Sequence, residues 1–319
     1  MPAHSLAPSR LRLPVIVAPM FLISNPAMVV AACRQGVVGT FPALNTRTDT
    51  QLKDWIKTIR HELGRLRNSL PEQPVAPFGV NLIVHKTNKR LEQNLESIVE
   101  GQVPLVITSL GAAPNVINHI HAYGGKVFHD VTNLHHARKA AEAGVDGLIV
   151  VCAGAGGHAG VASPFALIPK IRAFFKGTVV MAGAISDGAG IRAAQVLGAD
   201  LAYMGTRFIA TQESGAPAEY KRMILESEMG SAPDYLPVVY TDRISGIHAN
   251  FLKKSIESAG IKLNDASTLS PIEDFSKPEG HKAWKDIWSA GHGVIAINDL
   301  PSIEGLVGRL ESEYRNSTI

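Results

Sequence analysis

The residues best suited to chemistry lie in Cys152-Ala153-Gly154-Ala155-Gly156-Gly157-His158-Ala159-Gly160. A histidine inside a glycine-rich loop has little side-chain packing to account for it. The glycines would let backbone lie against a flat ligand while the imidazole faces a cavity. An imidazole neutral near pH 7 can act as a general base or hydrogen-bond donor. Two other segments end in glycine where a strand should turn into a helix: Met181-Ala182-Gly183-Ala184-Ile185 and Tyr203-Met204-Gly205-Thr206-Arg207-Phe208. Glycine there lets backbone N–H groups approach a phosphate closely. Thr206 adds a hydroxyl, and Arg207 a charge if it points inward.

The remaining candidates are weaker. His119 and His121 flank Ile120 on one helical stretch and so face different ways, and His135 and His136 follow Asn133 on another. None has carboxylate partners at metal-ligand spacing, so no metal centre is expected. Of the two cysteines, Cys33 reads as a core residue, and Cys152 has no local acid-base partner that would make it a nucleophile. No phosphate-binding P-loop motif is present, and the glycines from Gly154 to Gly160 lack a convincing dinucleotide-binding context.

These segments sit among eight short apolar runs bounded by Gly, Pro or Asn: Val15 to Val17, Gly36 to Phe41, Phe78 to Leu82, Pro104 to Thr108, Lys126 to Asp130, Gly147 to Val151, Thr178 to Ala182 and Leu201 to Met204. Runs that are apolar on both sides of the pleat suit parallel strands covered by helices. Helical patterns separate them. Thr48 to Arg67 buries Leu52, Trp55, Ile56 and Ile59 on one face, and Asn88 to Val99 repeats Leu91, Leu95 and Ile98. Asn133 to Ala143 and Asp187 to Leu197 carry caps and end at Gly144 and Gly198. This alternation predicts an α/β fold, a (β/α)8 TIM barrel, although a doubly wound open sheet would alternate too. Residues 1–210 and 282–319 form the expected barrel. Residues 211–281 read as a mainly helical insertion after the eighth strand, with helices over Ala218 to Glu228 and Leu252 to Ala259. An insertion there is placed to act as a lid, because barrel sites lie at the C-terminal ends of the strands. A final helix is expected over Pro301 to Arg309.

Composition removes other classes. With 31 Lys+Arg against 28 Asp+Glu, the formal charge of +3 is too small for nucleic-acid binding by bulk electrostatics. The apolar run Pro14 to Ile23 lies behind Arg10 and Arg12, and Val30-Ala31-Ala32-Cys33 looks like a lipoprotein cleavage site. Pro14, Pro19 and the Ser24-Asn25-Pro26 turn break any continuous signal region. The stretch reads better as a strand, a turn, and a helix capped by Asn25. With no apolar stretch long enough to span a bilayer, a soluble cytoplasmic protein is expected.

Taken together, Val15-Ile16-Val17-Ala18-Pro19-Met20, Phe78-Gly79-Val80-Asn81, the Gly154–Gly160 segment, Gly183-Ala184-Ile185-Ser186-Asp187-Gly188, Met204-Gly205-Thr206-Arg207-Phe208 and Trp288-Ser289-Ala290-Gly291 resemble the nitronate monooxygenases. That superfamily also includes FMN-dependent enoyl-acyl-carrier-protein reductases and quinone reductases. The resemblance implies a TIM barrel holding FMN non-covalently, with His158 as catalytic histidine. It implies Met20 and Asn81 near the isoalloxazine and Gly183, Gly205 and Thr206 at the phosphate, with Ala18, Asp130, Ala184 and Met204 completing the cofactor-binding set. The implied reaction oxidises an alkyl nitronate such as propionate 3-nitronate with O2 to a carbonyl compound and nitrite. The alternative is an NAD(P)H-dependent reduction of quinones or enoyl thioesters. The partners implied are a small-molecule substrate and O2, with a homodimer as candidate assembly. The chain departs from the family pattern at Ala184, where a second glycine is usual, and at Tyr203, where many members carry Gln. Asp130-Val131-Thr132 stands where some members have Lys before the Thr.

Overall fold

The computed structural model describes residues 8–85, 87–109, 111, 114–230, 236–261 and 283–317. Within the expected insertion, 231–235 and 262–281 lie outside the described residues. Eight parallel strands form one sheet: β1 (Val15–Val17), β2 (Gly39–Pro42), β3 (Phe78–Ile83), β4 (Leu105–Ser109), β5 (Lys126–Val131), β6 (Gly147–Val151), β8 (Thr178–Ala182) and β9 (Leu201–Met204). Between β6 and β8 lies the two-residue strand β7 (Gly157–His158), which belongs to a second sheet. The large sheet curls until β1, already paired with β9, meets the segment before β2. Ile16 bridges Val38, and the Val17 N–H donates to the Val38 carbonyl at 2.8 Å. The result is the expected TIM barrel.

Strand alternation builds two cores. Ile16, Val38, Leu105, Ile107, Phe128, Ile149, Val180 and Leu201 fill the barrel interior. Their neighbours along the strands, among them Val15, Val106, Leu148, Val150 and Val179, face the helix layer. That is why the strands read as continuously apolar.

The helices among the described residues are α1 (Pro26–Arg34), α2 (Asp49–Ser69), α3 (Leu91–Glu100), α4 (Pro114–Ala122), α5 (Leu134–Glu142), α6 (Pro164–Arg172), α7 (Gly188–Val196), α8 (Thr206–Ile209), α9 (Ala218–Leu225), α10 (Lys253–Ser258) and α11 (Ile303–Asn316). Their starts follow the capping residues. Asn25, Thr48, Asn133 and Asp187 accept from the N–H groups of Met28, Gln51, His136 and Gly190. Gly144 and Gly198 take the positive φ that closes α5 and α7, at +88° and +106°.

The final helix runs well beyond the expected Arg309. Its last turns are held by groups distant in the chain. Arg12 donates to Glu311 at 2.8 Å, the Gly188 N–H donates to Glu313 at 2.8 Å, and the Tyr314 hydroxyl donates to Gln195 at 2.5 Å.

The described part of 211–281 holds both expected helices, as α9 and α10. It also holds two strands that periodicity did not single out, β10 (Val238–Thr241) and β11 (Ala249–Leu252). They pair antiparallel, and β11 also pairs antiparallel with β7. The second sheet therefore joins the insertion to the loop that carries His158.

Candidate functional site

The expected cofactor residues gather at the C-terminal mouth of the barrel. A Cβ built on Gly205 would meet only the Ala18 Cβ at 3.6 Å and the Met20 Sδ at 3.7 Å, so three predicted residues from β1 and β9 share one rim with space above the glycine. The Ala18 N–H donates to the Met204 carbonyl at 3.0 Å. Met204 itself turns its side chain into the helix-side core, so its share of the mouth is backbone. Met20 is fixed by Ser24, whose hydroxyl accepts from its N–H, and by Asn45, whose Nδ2 donates to its carbonyl. Sequence reading missed Asn45, because its role depends on a turn brought in from the loop after β2.

A polar column crosses the mouth. Asn81 Nδ2 donates to Ser109 Oγ at 2.8 Å, and Ser109 Oγ donates to Asp130 Oδ2 at 2.5 Å. Asp130 Oδ1 is buried and has no hydrogen-bond partner among the described residues. Burial pushes the Asp130 carboxyl up from 3.8 to about 6, against the opposing effect of Ser109. Burial, together with the Asp130 charge, also drives the Tyr203 phenol well above its ordinary value. Ser109 had no sequence signal, since it ends a strand expected to stop at Thr108.

The glycine-bearing strand ends form the second part. Gly183 has φ +135°, and a Cβ there would stand 2.8 Å from the Ala153 carbonyl, so glycine is required. Ala184, which stands where the resemblance leads one to expect a second glycine, sits in the left-handed region at φ +55°. Its N–H donates to the Gly154 carbonyl at 3.3 Å, which also accepts the His292 N–H at 2.9 Å. The Gly291 N–H donates to Thr206 Oγ1 at 2.9 Å. A Cβ on Gly156 would collide with Gly291 N at 2.7 Å. Glycines expected to lie along a ligand are thus used to pack loops together. Arg207 does not point inward. It is buried, paired with Asp299 at 3.0 Å, and donates to the Ala210 and Asp299 carbonyls. A buried arginine is stable only when its charge is matched, and Asp299 supplies the matching carboxylate.

His158 lies on β7 opposite Ala249 of β11. Its ring keeps solvent access but is crowded by protein, which lowers its pKa from the ordinary 6.5. The edge-on neighbour is Trp284, with ring centres 5.3 Å apart, and Trp284 in turn stacks on Phe251. The expectation that this histidine lacks packing therefore fails, because Trp284 and β11 reach it from segments far along the chain. Asn250 Nδ2 donates to the Ala155 carbonyl at 2.8 Å, and the Tyr240 hydroxyl to the Ala159 carbonyl at 3.0 Å. The insertion holds the histidine loop on both sides of His158.

Among the other candidates, Cys33 and Cys152 are buried, and burial pushes both thiols up to about 12. His121 is exposed and bonds Asp146 at 2.7 Å, next to Lys126, as part of a surface ion cluster. No helix among the described residues is long and apolar enough to cross a membrane.

The sequence profile of the family described as nitronate monooxygenase matches residues 6–313. A nitronate monooxygenase of Paraburkholderia phytofirmans is 27% identical over 95% of this chain and 93% of its own length. FabK from Thermotoga maritima superposes with a TM-score of 0.76 at 23% identity, covering 98% of this chain and 95% of its own. A nitroalkane oxidase of Streptomyces ansochromogenes matches with the same TM-score of 0.76 at 23% identity, over 98% and 99% of the two chains.

Proposed function

Because the chain belongs to the nitronate monooxygenase family and is an oxidoreductase, we propose that it binds FMN at the barrel mouth and oxidises alkyl nitronates, such as propionate 3-nitronate, with O2. The observation that carries this reading is the meeting, at one barrel end, of a glycine rim and an unpartnered buried carboxylate oxygen. A Cβ on Gly205 would meet only Ala18 and Met20, at ordinary contact distance, and Asp130 Oδ1 needs a donor that the described residues do not supply. Both features fit a flavin nucleotide, which offers polar ring edges at one end and a phosphate at the other.

Ala18, Met20, Asn81 and Asp130 would hold the ring system, and Gly183, Ala184, Gly205 and Thr206 the phosphate, with Met204 contributing backbone. When bound, the flavin supplies the route by which electrons pass from an electron-rich nitronate towards O2. The protein's own part is positioning and proton transfer. His158 is kept neutral by its crowded setting, so a ring nitrogen is free to take the α-proton of a neutral nitroalkane. With a preformed nitronate, the same imidazole orients the nitro oxygens. Trp284 and Phe251 limit the space beside it and exclude water from one flank. The described part of 211–281 would act as the cover of the mouth, since β11 is hydrogen-bonded to the histidine strand.

The test is anaerobic mixing of the purified protein with propionate 3-nitronate, ethyl nitronate, NADH and NADPH, followed by flavin absorbance. Faster change with a nitronate supports this reading. Faster two-electron bleaching by NADH or NADPH moves the assignment to a reductase of quinones or enoyl thioesters. A protein that takes up no FMN overturns the flavin site.

A further inference from the structure

Among the described residues, no arginine or lysine bonds to the glycine-bearing loops after β8 and β9 at Gly183, Ala184, Gly205 or Thr206. Arg207, the residue whose position suggested such a contact, is buried and has its charge matched by Asp299. A phosphate monoester carries nearly two negative charges at neutral pH, and backbone N–H groups alone leave much of that charge unmatched. One cationisable side chain does stand at the rim. A Cβ on Gly154 would lie 3.1 Å from both the Cγ and the Nδ1 of His292 and 3.3 Å from the Ala184 Cβ, so the imidazole and Ala184 flank the same glycine. The next residue, Gly293, accepts a hydrogen bond from Ser186 Oγ at 2.8 Å, and the preceding Gly291 donates to Thr206. The His292 loop thus spans the gap between the two glycine-bearing strand ends.

We propose that His292 is a phosphate-recognising side chain of this site, its imidazolium matching the charge of the flavin nucleotide's terminal phosphate. The inference rests on the flavin reading above and adds a residue and a charge to it. The ring is half-buried and makes no hydrogen bond or ion pair among the described residues. Burial alone holds its pKa below the ordinary 6.5. The other titratable groups on the elements around it are occupied. Asp187 caps α7 at the Gly190 N–H, Glu313 accepts from the Gly188 N–H, Arg207 pairs with Asp299, the Cys152 thiol is buried, and His158 packs on Trp284. An arriving phosphate dianion is therefore the group that would protonate His292, and binding would take up a proton.

The experiment measures the affinity of the purified protein, stripped of cofactor, for FMN and for riboflavin between pH 6.5 and 8.5. In this window the phosphate remains largely dianionic, with its second pKa at about 6. For the unmodified protein, FMN affinity should fall about tenfold as pH rises, while riboflavin affinity stays level. His292→Gln should lower FMN affinity about tenfold at pH 6.5 and flatten the pH dependence. Unchanged riboflavin affinity in the variant shows that its fold is intact. If His292→Gln binds FMN as tightly as the unmodified protein, or keeps the same pH slope, the role of His292 is overturned while the flavin site stands. If the unmodified protein binds neither flavin, both readings fall.

Discussion

At the scale of single residues, the site combines His158, the imidazole proposed to move a proton, with Ala184, which is under backbone strain. His158→Ala should leave FMN content unchanged and lower kcat/KM for nitroethane by at least a hundredfold, with much less effect on ethyl nitronate. Oxygen uptake with both substrates tests this, and equal kcat/KM with nitroethane would remove the base role. Because crowding lowers the pKa of His158, activity on the neutral substrate should persist below pH 6.5 before falling as the ring protonates. Ala184 holds a left-handed conformation that costs an L-residue roughly 1 kcal/mol. Ala184→Gly relieves that cost but gains unfolded-state entropy, so a net stabilisation of about 0.5 kcal/mol is expected in urea titration. A destabilised variant would show that the methyl group makes a compensating contact.

At the scale of elements, the central feature is the antiparallel sheet that ties β7 to β11. Asn250 is buried, and its Nδ2 is the side-chain donor to the Ala155 carbonyl. Asn250→Ala should cost about 1–2 kcal/mol of stability, because a buried carbonyl loses its partner. The same change should lower kcat/KM with nitroethane through misplacement of His158 while leaving FMN content near normal. Loss of stability with unchanged kcat/KM would make the strand pair a support only. Within the barrel elements, the capping residues and the glycines at helix ends were legible in the sequence, because each acts within a few residues of itself. The strands β10 and β11 were not. Their pattern is short and mixed, and their pairing depends on the distant loop around His158.

At the scale of the molecule, two adjacent residues on β5 set opposing pH dependences. His129 is buried, bonds Thr108 at 2.7 Å, and has its pKa lowered by burial to about 4. Its stabilising effect is present above pH 6.5 and is lost as pH falls towards 4. Asp130 has its pKa raised from 3.8 to about 6, so its effect is present below pH 3.8 and is lost as pH rises through 6. Each is worth about 2–3 kcal/mol, and between pH 4 and 6 they nearly cancel. Asp130→Asn should therefore raise stability by about 2 kcal/mol at pH 7 and expose a steep acid-side loss between pH 6.5 and 4. Urea denaturation across this range checks it, and parallel profiles for the two proteins would show that Asp130 carries no such shift. A destabilising carboxyl kept in a barrel mouth is itself consistent with a binding role.

The sequence by itself set the alternation of strands and helices and marked Gly183, Gly205 and His158 as candidates, because apolar periodicity, caps and glycine spacing are local. That pattern also allowed a doubly wound open sheet, and closure into a barrel was decided by the pairing of β1 with the segment before β2. Only the tertiary structure decided that Arg207 pairs with Asp299, that Met204 turns its side chain into the helix-side core, and that one Asp130 oxygen has no partner among the described residues. It also brought Trp284, Asn250 and His292 to the mouth from segments far along the chain. Side-chain direction and charge pairing depend on which distant surfaces meet, and no local pattern encodes that.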